Sequence, residues 1–212
     1  MPNELELTKC ANSYKYFIET YLSVQLSDED ISFMDSLISE RYHIVASPEK
    51  SNNTLLMHLL VLWKLLFKTT DSIYVITTPL LRHAEVYNKR FRLYYNMLPD
   101  WMKITSRESK RSLRLSNNNA VIFSVLGIDC IHGIAPTEMY IHGVAFMKRE
   151  NINGWFECFI PILCSLKSCK IVIESYPFLN SYFNELWNSD SYTKHGKIEY
   201  RYPLREGIEN GF

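Results

Sequence analysis

Excess charge, paired cysteines, a long unbroken apolar run and a secretory leader are all missing from this sequence. Lys and Arg number 23 and Asp and Glu 23, so no global charge draws the chain to nucleic acid or to membrane surfaces. The five cysteines (Cys10, Cys130, Cys158, Cys164 and Cys169) form no C-x-x-C pair. Cys130 lies near His132, but no second ligand pair stands at zinc spacing, so no metal is expected and the thiols are read as reduced and mostly core. The opening MPNELELTK lacks the basic-then-apolar pattern of a signal peptide. The longest apolar run, Leu55 to Phe67, is interrupted by His58 and Lys64. It is also shorter than the ~20 residues that span a bilayer. These absences imply a soluble protein of the cytosol. No linker, repeat or low-complexity stretch breaks the chain, so one domain over 1–212 is expected, with a frayed tail at 205–212. No Gly-x-Ser-x-Gly elbow marks a nucleophile.

What is present is an alternation of apolar runs. Hydrophobic residues make up 47% of the chain, enough for a sizeable core. Tyr14 to Val24 and Leu26 to Leu37 have helical spacing, the second with Ser27 as N-cap ahead of three acidic residues. Tyr42 to Ala46, Ser72 to Thr77, Met139 to His142 and Lys170 to Glu174 are short apolar strands of the kind buried on both faces. Thr54 to Phe67 is helical and apolar almost all round, which predicts a buried helix. Leu80 to Met97 is amphipathic, with Leu81, Ala84, Tyr87, Phe91 and Tyr94 on one face, and Pro99 ends it. Ser112 to Leu115 and Ala120 to Val125 flank an SNNN hairpin signal. Further helices are expected at 155–163 and 178–187 and a last strand at 197–202. Strands alternating with helices predict an α/β fold with a mainly parallel sheet flanked by helices.

The chain is organised around Ile44 to Phe67: a strand end, a polar loop and a long helix. That is the layout of a phosphate-binding loop, in which backbone N–H groups and a helix N-terminus cradle phosphate, and Lys followed by Ser or Thr completes the site. The chemistry does not follow the layout. No glycine occurs in this stretch, Asn52, Asn53 and Thr54 stand just before the helix, and Lys50, the only cation in the loop, falls early. The same residues suit an ordinary strand-to-helix connection capped by Asn53 or Thr54. Two surface candidates remain. Arg82, Lys89, Arg90, Arg92, Lys110 and Arg111 make the 82–114 region basic, which is either a solvated face or a nucleic-acid contact. Tyr176, Phe178, Tyr182 and Trp187 form an aromatic-rich stretch suited to core packing or protein contact.

Taken together, the order and spacing of these segments resemble the N-terminal ATPase domain of phage terminase large subunits, the DNA-packaging motors, especially those of T4-like phages. YFIETY (16–21) resembles that family's opening helix. Residues 44–67 occupy its Walker A unit, and SIYVIT with the following helix and LPDWMK its next βα unit. LRLSNNNAVIFSV resembles its hairpin, MYIHGVAFM its Walker B strand, and KIVIESYPFLNSYFNELW its coupling segment. The resemblance covers about Cys10 to Trp187 and implies a P-loop NTPase-like fold. The family's nuclease domain has no counterpart in the sequence.

Residue by residue, the resemblance implies lost chemistry. In the Walker A loop SPEKSNNT, from Ser47 to Thr54, Ser51 stands at the Gly, Asn52 at the Lys and Asn53 at the hydroxyl. Glu49 adds negative charge. At Walker B, His142 replaces the Asp that organises Mg²⁺, and Gly143 the Glu that activates water. His132-Gly133 stands for an Arg-Gly, Glu174-Ser175-Tyr176 for a Thr-rich coupling stretch, and Asp30 for the Gln that reads adenine. The implied protein is a pseudo-ATPase with no catalytic residue and no cofactor, acting in the host cell cytoplasm. Its expected partner is another protein, a phage packaging component or a host defence factor. The alternative is a nucleic-acid or nucleotide-binding accessory that uses the 82–114 region. Homo-oligomerisation stays open.

Overall fold

The computed structural model describes residues 4–47, 51–68, 71–127, 133–147, 169–176, 178, 181 and 183, with the short pairs 193–194 and 197–198. Its helices are α1 (Glu4–Asn12), α2 (Tyr14–Tyr21), α3 (Asp28–Ser39), α4 (Asn53–Phe67) and α5 (Leu81–Met97). Its strands are β1 (Tyr42–Ala46), β2 (Ile73–Thr78), β3 (Thr105–Glu108), β4 (Ser112–Leu115), β5 (Ala120–Val125), β6 (Glu138–His142), β7 (Lys170–Ser175), β8 (Thr193–Lys194) and β9 (Lys197–Ile198). They form one mixed sheet in the order β3-β4-β5-β2-β6-β7-β1-β9-β8. The middle five strands, β5 to β1, are parallel. The flanking pairs on both sides run antiparallel. The parallel centre is where the apolar runs lie, since strands covered on both faces cannot alternate in polarity.

Helix α4 is buried from Leu56 to Leu65. It needs apolar residues all round because α1, α2, α3 and α5 all pack on it. The Trp63 indole Nε1 donates to the Cys10 carbonyl at 2.7 Å and so ties α1 to α4. Cys10 and Cys169 are buried free thiols; burial raises their pKa to about 11 and about 12.

Local signals hold where the chain itself satisfies them. Ser27 caps α3 in a full capping box with Asp30, whose carboxylate accepts from the Ser27 backbone N–H at 3.0 Å. The SNNN turn joins β4 to β5, with Asn118 at φ 66°. Asn119 is fully buried beneath it: its Oδ1 accepts from Ser72 N–H at 2.8 Å and its Nδ2 donates to the Leu65 carbonyl at 3.0 Å.

Two expectations are corrected. The N-cap of α4 is Asn52, not Asn53 or Thr54, and its side chain makes no capping bond. Asn53 and Thr54 are helical, and their side chains turn to Ser47 and Glu174 instead. The buried face of α5 is Ala84, Asn88, Phe91 and Tyr95, with Leu81 exposed and Tyr87 and Tyr94 half-buried. The β3–β4 hairpin rotates that face, because Asn88 Nδ2 donates to the Lys110 carbonyl and Tyr95 hydrogen-bonds Thr105. Helix α1 and strand β3 have no periodic apolar signal and were not expected; all four β3 residues are exposed. Of the expected last strand, the described residues 197–198 pair with β1 and β8. The helices expected at 155–163 and 178–187, and the tail, fall on or largely on residues outside those described.

Candidate functional site

The C-terminal ends of β1, β6 and β7 meet the first turn of α4. Six polar side chains from these elements and from α4 itself join into one largely buried chain. His142, at the end of β6, is fully buried. Its Nδ1 lies 2.8 Å from Glu174 Oε2 and its Nε2 3.3 Å from His58 Nε2. Glu174, near the end of β7, receives a hydrogen bond from Thr54 Oγ1 at 3.2 Å through its other oxygen. Ser47 Oγ, one residue past β1, also contributes to holding that carboxylate and accepts from Asn53 Nδ2 at 3.1 Å. Tyr87 of α5 lies edge-on to both imidazoles, with ring centroids 5.2 Å from each.

The parallel register explains why these groups meet. His142 is paired with Glu174 across β6–β7, and Val45 with Glu174 across β1–β7. Burial alone would raise the Glu174 pKa, but the hydrogen bond and charge of His142, with the hydroxyls of Ser47 and Thr54, lower it below the ordinary 4.5. With its Nδ1 on the carboxylate, His142 turns its Nε2 to His58 Nε2, and one proton joins the two rings, the donor being set by the tautomer. Burial, then His142 and Arg90, hold the His58 pKa well below 6.5. Burial, with Glu174 adding to it, raises the Tyr87 phenol to about 12.

The His58 and Glu174 shifts act in one direction, whereas the raised Tyr87 phenol costs stability only as pH rises through the alkaline range. Below pH 6.5 the unfolded chain protonates at His58 while the folded chain resists, so stability falls with falling pH. Below about 4.5 the depressed Glu174 carboxyl extends the same loss. Each proton contributes a slope of about 1.4 kcal/mol per pH unit. Urea unfolding at pH 7, 6 and 5 should show a shallower dependence in His58→Phe than in the wild type. Equal dependence would show that His58 charges freely in the folded state.

Gly143, next to His142, lies at φ 75°, where a side chain is strained, and a Cβ there would meet Phe146 at 3.4 Å. Its N–H donates to the Glu174 carbonyl at 2.7 Å. A cavity of about 450 Å³ opens between the first turns of α4 and the middle of α5, lined among others by Asn52, Thr54, His58, Tyr87 and Arg90.

The structure thus brings Ser47, Asn53, Thr54 and His142 into one network and places Ser51 and Asn52 at the cavity. Lys50, Tyr182 and Trp187 are outside the described residues. Tyr176 and Phe178 are exposed and in contact with each other, ring centroids 4.8 Å apart. Of the basic candidates, Arg82, Lys89, Arg90, Lys110 and Arg111 are exposed. Arg92 is spent inside the fold: it donates to Asn88, to Glu108 and to the carbonyls of Ser109 and Ser112, and so fastens the β3–β4 hairpin to α5. His58 stands in the sequence as a polar interruption of the apolar helix; its partner lies 84 residues away, and no local signal pairs them. Tyr87 was placed on a core face, and nothing in the sequence sets it against two histidines.

The parallel sheet, with a helix N-terminus after β1 and the β6 and β7 ends beside it, has a P-loop NTPase-like α/β fold of the kind seen in large terminase ATPase domains. Solved structures agree. The chain is similar to the large terminase ATPase domain of Thermus phage P74-26, with 16% identity and a TM-score of 0.62 over 80% of this chain and 72% of that one. It is similar to the HK97 bacteriophage large terminase at 15% identity and a TM-score of 0.65, covering 84% of this chain and 40% of that one. The chain therefore spans well under half of the HK97 protein. At such identities the likeness is one of fold. No family profile matches the sequence, and no curated protein matches it. Among the described residues no helix is long and apolar enough to cross a membrane.

Proposed function

We propose that this is a catalytically inactive, terminase-ATPase-like phage protein that works in the host cytoplasm by binding another protein, as a regulator of DNA packaging or as an inhibitor or decoy against a host defence system. The observation that supports this reading is the occupied state of His142. It stands where the resemblance puts a Mg²⁺-organising Asp, and both its ring nitrogens are engaged, by Glu174 and by His58. Hard Mg²⁺ requires oxygen ligands. Glu174, the carboxylate of this cluster, is committed to His142 and Thr54. Gly143 has no side chain to orient water. Phosphoryl transfer rests almost wholly on such positioned charges, whereas a binding surface needs only the scaffold.

Purified protein given ATP and Mg²⁺, with or without DNA, should release no phosphate above the blank. Turnover that vanishes in Lys50→Ala would overturn the reading and assign the early Lys a catalytic role. Affinity capture from infected cells, read by mass spectrometry, identifies the partner. A second reading, a nucleic-acid-binding accessory, draws support from the exposure of Arg82, Lys89, Arg90, Lys110 and Arg111.

A further inference from the structure

Helix α5 is apolar on two opposite sides. One seam, Ala84, Asn88, Phe91 and Tyr95, is buried. The other, at the same alternating spacing of four and three, is Val86, Arg90, Leu93 and Met97. In it Val86 is 42% exposed, Leu93 61% and Met97 46%. A helix with one face in solvent normally carries polar residues there. The solvent seam instead has the pattern by which one helix packs along another.

Two further features show what would cover it. First, the charges beside the seam are mainly positive. Arg82, Lys89 and Arg90 are exposed next to a single acid, Glu85, and Arg90 forms no salt bridge with a described residue. Two copies meeting through the same patch would set these cations against each other, so a second copy of this chain is disfavoured. Second, the cavity opens at the middle of the seam, with Arg90 and Leu93 both in its lining. Exposed apolar side chains around a concavity with one uncompensated cation have the anatomy of a protein contact centre. A phosphate backbone would leave Val86, Leu93 and Met97 without a counterpart, whereas an amphipathic helix would cover them.

Resting on the protein-binding reading, we propose that the solvent seam of α5 is a docking surface for an amphipathic helix of a partner protein. The partner's apolar stripe covers Val86, Leu93 and Met97, and an Asp or Glu beside that stripe is seated on Arg90 at the cavity mouth.

The test uses the full chain and a fluorescein-labelled peptide of about 18 residues, with Leu at helical spacing and Glu flanking it. Fluorescence anisotropy should show saturable binding that Leu93→Asp and Arg90→Glu each weaken by about tenfold or more, with unchanged thermal unfolding. A peptide with Lys in place of every Glu should not bind. The proposal is overturned if the acidic peptide fails to bind, or binds both variants as tightly as the wild type. It is also overturned if sedimentation shows a dimer that Leu93→Asp dissociates, which would make a second copy the occupant. DNA that binds and is lost with Arg90→Glu but not with Leu93→Asp would give the face to nucleic acid. ATP turnover by a protein that still binds the peptide would defeat the inactive reading and leave the docking surface standing. No turnover with no peptide binding would do the reverse.

Discussion

Replacing His142 with aspartate, the residue that the terminase resemblance puts at this position, is expected to destabilise the protein by about 3–5 kcal/mol rather than to prepare it for catalysis. His142 is fully buried, and its Nδ1 lies 2.8 Å from Glu174. Aspartate there would set two carboxylates against each other in a site that excludes water, so one must take up a proton or the site must open. It would also remove the imidazole that His58 Nε2 contacts. The resemblance implies paired replacements: an imidazole for a carboxylate on β6, and a carboxylate for a hydroxyl on β7. The expected signature is therefore a coupling. His142→Asp and Glu174→Thr should each destabilise, and the double variant should be more stable than their sum predicts by ~1–3 kcal/mol. Guanidinium unfolding of the four proteins measures this. Strict additivity would show that the pair is incidental. Gly143→Glu adds separate strain, because its backbone is left-handed. Placing carboxylates at both positions therefore requires backbone change as well as substitution.

Glu138→Leu is expected to cost a similar ~3–5 kcal/mol, at the opposite end of β6. Lys64 Nζ contacts both oxygens of Glu138, at 2.9 and 2.8 Å, and Tyr140 donates to the same carboxylate at 2.7 Å. The two charged side chains are only 7% and 12% exposed. Removing the acid leaves a buried ammonium and an unpaired phenol. Lys64→Met with Glu138→Leu should recover most of the loss, since a buried ion pair is often matched by apolar packing of similar volume. Denaturant midpoints compare the three variants. A single Glu138→Leu within about 1 kcal/mol of wild type would mean that water reaches Lys64 and that the pair contributes only as a surface pair does.

The elements legible in the sequence are those whose pattern is set within one segment. Tyr42–Ala46, Ser112–Leu115 and Ala120–Val125 lie where their apolar runs and the SNNN turn put them. Ser27 caps α3 through atoms three residues away. Strand β3 was illegible because its four residues are exposed and polar; it exists because β4 offers an edge and Arg92 holds its end. The buried face of α5 was legible only in part, because the side turned inward was decided by the hairpin that packs on it.

The candidate site divides in the same way. The sequence by itself determined the parallel α/β framework, through the polarity of its runs. It also flagged His58 and Lys64 as the two polar interruptions of an otherwise apolar helix, without saying what they do. Tertiary structure decided that both answer to β6. Because α4 runs antiparallel to that strand, His58 meets His142 at the strand's end and Lys64 meets Glu138 at its start. A buried polar group must find a partner wherever the fold provides one. Those partners lie 84 and 74 residues away, beyond the reach of any local pattern. The physical reason is that periodicity records which side of a segment faces the core, while the pairing of buried charges depends on which segments the sheet sets side by side.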